Sequence, residues 1–119
     1  MIRACALSLA LACAAHSGGA QMLTTSGTGA VLRALDKVSG QTMDVEITPG
    51  GGKSVFRLEV DLADCRYPAD NPTGDAFAYL TIRDMADIVF EGWMIATSPA
   101  LNALDHARYD IWVLRCISS

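Results

Sequence analysis

The sequence predicts a mainly β protein, a small antiparallel β-sandwich or partly closed barrel of about six strands with one short helical turn. Three observations predict it. Apolar and polar residues alternate in short runs from Ala30 onward, stretches rich in glycine and proline separate those runs, and two cysteines lie outside the leader. Such sheets must bury one face and manage their edges, which leads to a sandwich or a barrel.

Residues 1–20 read as a secretory signal. Arg3 opens it, Ala4 to Ala15 is apolar, and Gly18-Gly19-Ala20 supplies the small residues of a cleavage site before Gln21. The apolar run is shorter than the roughly 20 residues of a spanning helix, so no transmembrane segment is expected. Cys13 admits a lipoprotein alternative, in which it becomes the acylated first residue. Leu11, however, sits one place nearer to Cys13 than a lipoprotein signal prefers.

Residues 21–29, QMLTTSGTG, are rich in Ser, Thr and Gly without apolar periodicity and read as a flexible N-terminal segment. Residues 30–119 then read as one β-domain. Ala30 to Lys37 and Thr42 to Ile47 alternate around Ser39-Gly40 and form a hairpin. TPGGGK, Thr48 to Lys53, breaks the pattern as a hairpin loop; it lacks the GxxxxGK[ST] spacing of a phosphate loop. Ser54 to Asp61 is read as one strand whose Phe56, Leu58, Val60 and Leu62 parity faces the core, with Cys65 just beyond it. Arg66 to Asp75 holds Pro68, Pro72 and Gly74 and reads as a loop.

Ala76 to Asp84 and Ile88 to Ala96 alternate as strands, with Gly92 marking a candidate bulge. Thr97 to His106 supplies the helical turn: Ser98 can cap it and Pro99 suits its first position. Tyr109 to Cys116 closes the domain as a strand.

Without the leader the chain keeps eight basic and thirteen acidic side chains. The bases are scattered singly, whereas nucleic-acid affinity needs them clustered, so no nucleic acid is expected. Cys65 and Cys116 form an even pair in an exported chain and are expected as a disulfide, worth roughly 4 kcal/mol for a loop of about 50 residues. That bond removes both from thiolate chemistry. His106 is the only histidine beyond the leader, too little for a zinc site with Asp105, Asp110, Asp36 or Asp44. The sequence therefore calls for no metal and no cofactor. Asp44 and Glu46 share one strand face, the pattern of a solvated surface as well as of paired catalytic acids. The aromatics Tyr79, Phe90, Trp93, Tyr109 and Trp112 follow strand parity and read mainly as core, with any exposed remainder marking a partner.

The runs VLRALDKVSGQTMDVEI, FRLEV followed by Cys65, and FEGWMIATSPALNALDHARYDIWVLRC resemble the bacterial domain-of-unknown-function 2155 family from about Ala30 to Cys116. The resemblance implies a small exported protein of Gram-negative bacteria and brings no reaction, cofactor or partner with it. It directs attention to Asp36, Lys37, Ser39 and Gly40. Later in the chain it marks Trp93, Met94, Ser98, Pro99, Asn102, Leu104, His106, Tyr109, Asp110, Trp112 and Cys116, and Cys65 fits its cysteine position. The expected function is a non-enzymatic periplasmic binding or structural module of the envelope. Its candidate binding surface is Asn102, His106, Asp110, Trp93 and Tyr109, and its partner an envelope protein or glycan. The alternatives are a carbohydrate-active or other hydrolytic enzyme using Asp44, Glu46, Asp105 or His106, and a lipoprotein held through Cys13.

Overall fold

A computed structural model describes residues 23–118. The signal segment, its cleavage site and Cys13 lie outside the described residues. Eight strands run in order: β1 (Thr24–Ser26), β2 (Gly29–Asp36), β3 (Thr42–Ile47), β4 (Gly52–Val55), β5 (Leu58–Pro68), β6 (Phe77–Asp84), β7 (Asp87–Ile95) and β8 (Tyr109–Ile117). They form two antiparallel sheets that do not close into a barrel: a five-stranded sheet β1-β5-β6-β7 with β4 also on β5, and a three-stranded sheet β3-β2-β8. The arrangement is sandwich-like, and its core is drawn from both inner faces: Leu32, Val45, Ile111 and Val113 from one, Leu58, Leu62, Leu80 and Ile82 from the other.

The β2–β3 hairpin lies where the alternation predicts it, in the register Leu35 opposite Thr42 and Ala30 opposite Ile47. Gly40 takes φ +76°, which a residue without Cβ adopts freely, and its N–H donates to the Asp36 carbonyl at 2.8 Å.

Several elements depart from expectation. The run read as one strand from Ser54 breaks at Phe56-Arg57, so that Val55 pairs with Leu58 across a two-residue turn. No glycine or proline announces that turn. Phe56 itself takes φ +53°, and its ring stacks on Tyr109 with centroids 5.3 Å apart, a tertiary contact that offsets backbone strain unusual for a bulky residue. TPGGGK is accordingly no hairpin loop, since it carries the chain from β3 in one sheet to β4 in the other. β5 runs on to Pro68, so Cys65 lies inside a strand and the following loop starts after Pro68. A register shift at Ala63 moves the buried parity from Leu62 to Cys65. Val89, rather than Gly92, is the extra residue between β6 and β7.

The lead-in also differs: Thr24–Ser26 pairs antiparallel with the end of β5. Arg66 fixes it, its Nε donating to Thr24 Oγ1 at 2.7 Å and an Nη to the Thr24 carbonyl at 2.9 Å. The chain then crosses between sheets at Gly27, whose N–H donates to the Cys65 carbonyl at 2.7 Å. A Cβ there would sit 2.5 Å from the Ile117 carbonyl oxygen, so only glycine fits. Beside this crossing Cys65 of β5 and Cys116 of β8 are joined as a disulfide, with Cα atoms 5.7 Å apart. The covalent bond thus ties one sheet to the other.

The predicted helical turn is absent, and no helix occurs among the described residues. Leu101 donates to the Ser98 carbonyl at 3.1 Å and the segment then straightens. One such bond does not repay helix nucleation, and two side chains pull the chain elsewhere. Asn102 Nδ2 donates to the Trp93 carbonyl at 2.9 Å, and Leu104 enters the core with 7% exposure. Leu104 belongs to neither sheet, so Leu104→Ala leaves a cavity that no strand can close. We expect a loss of about 2–5 kcal/mol in chemical denaturation; a change below about 1 kcal/mol would show that the segment does not support the core.

Candidate functional site

The segment between β7 and β8 is held at several points. Asp75 pins its start, accepting from the Thr97 N–H at 3.1 Å and the Thr97 hydroxyl at 2.8 Å. Its end is held around His106. The imidazole Nδ1 accepts from the backbone N–H groups of Arg108 and Tyr109 at 3.0 and 3.1 Å, which leaves Nε2 to carry the proton and donate to Asp84 at 2.9 Å. Lys37 Nζ donates to the His106 carbonyl at 2.6 Å. Tyr109 lies between Phe56 and His106, and the Arg108 guanidinium sits 5.4 Å over its ring.

Arg108 continues to Asp36, the one buried charged side chain among the described residues. Arg108 Nη2 donates to Asp36 Oδ2 at 3.0 Å, and the Asp36 carboxylate also accepts the N–H groups of Val38 and Ser39 at 2.9 and 3.3 Å. The guanidinium, followed by those amides, holds the Asp36 carboxyl well below the usual carboxylate range, against the opposing effect of burial. This clamp joins β2 and β8 to the ends of β4 and β6, so it links the two sheets at the opposite end of β8 from the disulfide.

Between these anchors a cleft of about 430 Å³ opens. Pro99, Ala100 and Ala103 form one wall, and Asp110, Ile111 and Trp112 of β8 form the other. Ile111 and Val113 face the core, so the alternate residues Asp110 and Trp112 face outward. The volume falls within the range of small-ligand sites, and its lining is mainly apolar with one carboxylate.

The candidate surface read from the sequence is divided by the structure. Asp110 lines the cleft, Asn102 holds the Trp93 carbonyl on the segment above it, and His106 belongs to the clamp. Tyr109 is no surface residue: it is 4% exposed, because its ring is the clamp's stacking partner. Trp93 lies 41% exposed on the outer face of the larger sheet, edge-on to Tyr79 at 5.3 Å. It neighbours Thr24, Arg66 and Phe77 rather than the cleft. Of the aromatics expected in the core, Phe90 and Tyr109 are buried and Trp93 is not. Ala100 and Ala103 were not legible as lining residues in the sequence, because small residues three apart in an irregular segment carry no distinctive signal. Nor was the Asp36–Arg108 pair legible there, since its members are 72 residues apart.

The acids considered for catalysis are dispersed. Asp44 is gripped by Arg33 at 2.8 and 3.0 Å, which lowers its carboxyl below the ordinary range. Glu46 and Asp105 are exposed. Among the described residues no three His, Cys, Asp or Glu side chains gather as a metal site, and no helix is long and apolar enough to cross a membrane.

Two sheets joined by a disulfide at one end, and at the other by the His106–Asp84 contact and the Phe56–Tyr109 stack, with a cleft along the last strand, define a small disulfide-stapled β-sandwich-like protein. The chain belongs to the family described as "Uncharacterized protein conserved in bacteria (DUF2155)", which matches residues 30–116. It is similar to the "Uncharacterized protein RP359" of Rickettsia prowazekii (strain Madrid E), at 23% identity over 94 residues, 75% of this chain and 61% of that protein. The chain therefore spans less than two thirds of that relative's length. No solved structure matches it.

Proposed function

We propose that this is a periplasmic protein that acts as a non-enzymatic binding module of the cell envelope, engaging another envelope component through the cleft between residues 99–103 and β8. The observation that carries the location is the Cys65–Cys116 bond: a buried structural disulfide persists in an oxidising compartment, and the leader read in residues 1–20 leads there. Binding is supported by the cleft itself. The enzymatic alternative is weakened because His106 has both ring nitrogens engaged, Asp44 is held by Arg33, and neither faces the cleft lining.

Intact mass and fractionation of the protein from its host test the location. The expected species begins at Gln21, lacks two hydrogens and partitions with the periplasm. A reduced cytoplasmic species would overturn it, and a lipid on Cys13 would replace it with the anchored form. Mild crosslinking tests the binding: a reproducible envelope partner should be captured and then lost on Trp112→Ala. Capture unaffected by that change would move the interface away from the cleft.

A further inference from the structure

We infer that the cleft receives a cationic group on an apolar stem, the ammonium or guanidinium of a lysine or arginine side chain presented by a partner polypeptide. The inference rests on the binding reading above and adds the chemistry of its ligand.

Asp110 is the starting observation. Every other buried or half-buried carboxylate among the described residues has a partner: Asp36 has Arg108, Asp61 has Arg83, Asp64 has Arg66, Asp75 has Thr97 and Asp84 has His106. Asp110 is half-buried and has neither an ion pair nor a hydrogen bond among those residues. Its oxygens remain accessible, since no buried side-chain oxygen is left unpaired. Asp110 is among the residues that line the cleft.

Three cations near Asp110 in the sequence or the sheet register are committed elsewhere. Arg108, two residues away and just before β8, turns to Asp36. Arg33 lies opposite Trp112 in the register but grips Asp44. Lys37 reaches over to the His106 carbonyl. A carboxylate that no internal cation neutralises attracts an incoming one, and more strongly beside apolar walls than in open water.

The other lining residues fit the same ligand. Trp112 stands two positions along β8 on the same face, where an indole attracts a cation as well as an alkyl stem. Pro99, Ala100 and Ala103 supply apolar contact for methylene groups. An anionic ligand would meet Asp110 repulsively. A neutral saccharide could use Trp112 but would leave the carboxylate uncompensated.

The chain has two tryptophans, so Trp93→Phe leaves Trp112 as the only indole. In that background acetyl-lysine amide and tri-lysine should change Trp112 emission saturably, and added salt should weaken the effect. Acetyl-norleucine amide, the uncharged analogue, should bind about 10-fold more weakly or less, and Asp110→Asn should reduce lysine binding by about 10-fold, the weight of one charge-assisted contact. The melting temperature of Asp110→Asn should stay unchanged or rise, because the carboxylate makes no internal contact to lose. Absence of a saturable lysine response overturns the inference, as does equal binding by Asp110→Asn or a fall of several degrees in its melting temperature. An N-acetylglucosamine trisaccharide that binds wild type and Asp110→Asn alike would assign the cleft to a glycan, overturning the inference while leaving the binding reading intact. Loss of partner capture with all probes silent would instead sink the binding reading itself.

Discussion

Replacing Cys65 and Cys116 together by serine is expected to destabilise the protein by about 4 kcal/mol, the chain-entropy contribution of a loop this long. For a domain of this size that corresponds to a fall of roughly 15–30 °C in melting temperature. A small domain's whole net stability is about 5–15 kcal/mol, so the reduced protein should hover near unfolding at physiological temperature. The location of the bond strengthens the expectation. Cys65 is fully buried and Cys116 nearly so, and the bond joins β5 of one sheet to β8 of the other. Thermal melts of the double variant, and of wild type with and without reductant, measure this directly. A loss below about 1 kcal/mol would mean that the core and the opposite clamp suffice.

The second large effect is expected at Asp36. Asp36→Asn removes the buried carboxylate and turns an amide N–H toward the Arg108 guanidinium, so the clamp loses its charge pairing and gains a donor facing a donor. A melting-temperature loss on the order of 10 °C at neutral pH is expected. The pH profile identifies the cause. The folded carboxyl titrates well below its unfolded value of about 3.9, so its contribution is complete above that value and fades as pH falls below about 4. The gap between wild type and Asp36→Asn should therefore be widest at pH 5–7 and narrow steadily toward pH 2. A gap that stays constant with pH would show that packing, rather than charge, holds this end together.

What was legible in the sequence follows from the range over which its causes act. The β2–β3 hairpin could be read residue by residue, because alternation sets its faces and Gly40 sets its turn within a few positions. β6 and β8 could be read as strands for the same reason, but Cys116 joins the buried side of β8 only across a register shift that period two does not announce. The break at Phe56 could not be, since the residue tolerating the left-handed backbone is stabilised by a ring 53 positions later. β1 has no apolar alternation and depends on Arg66, while the segment after β7 shows a helical start that Asn102 and Leu104 override through tertiary contacts. In the candidate site the strand presenting Asp110 and Trp112 was evident from period two. That Asp110 lacks a cation was not, because it depends on where Arg33, Lys37 and Arg108 are committed.

The disulfide also constrains the order in which the molecule can be assembled. β8 completes the smaller sheet by pairing with β2, some eighty residues earlier in the chain, and it carries the cysteine that must meet Cys65. In a chain emerging from its N-terminus, everything from β1 to β7 appears before that sheet can close, and Cys65 stays open to any oxidant for as long as β8 is missing. Such long-range closure is slow by nature. Once β8 docks, both sulfurs are enclosed, so a chain that closes before it is oxidised shuts the oxidising machinery out. The time between the appearance of Cys65 and the docking of β8 is thus when an oxidase has readiest access to it.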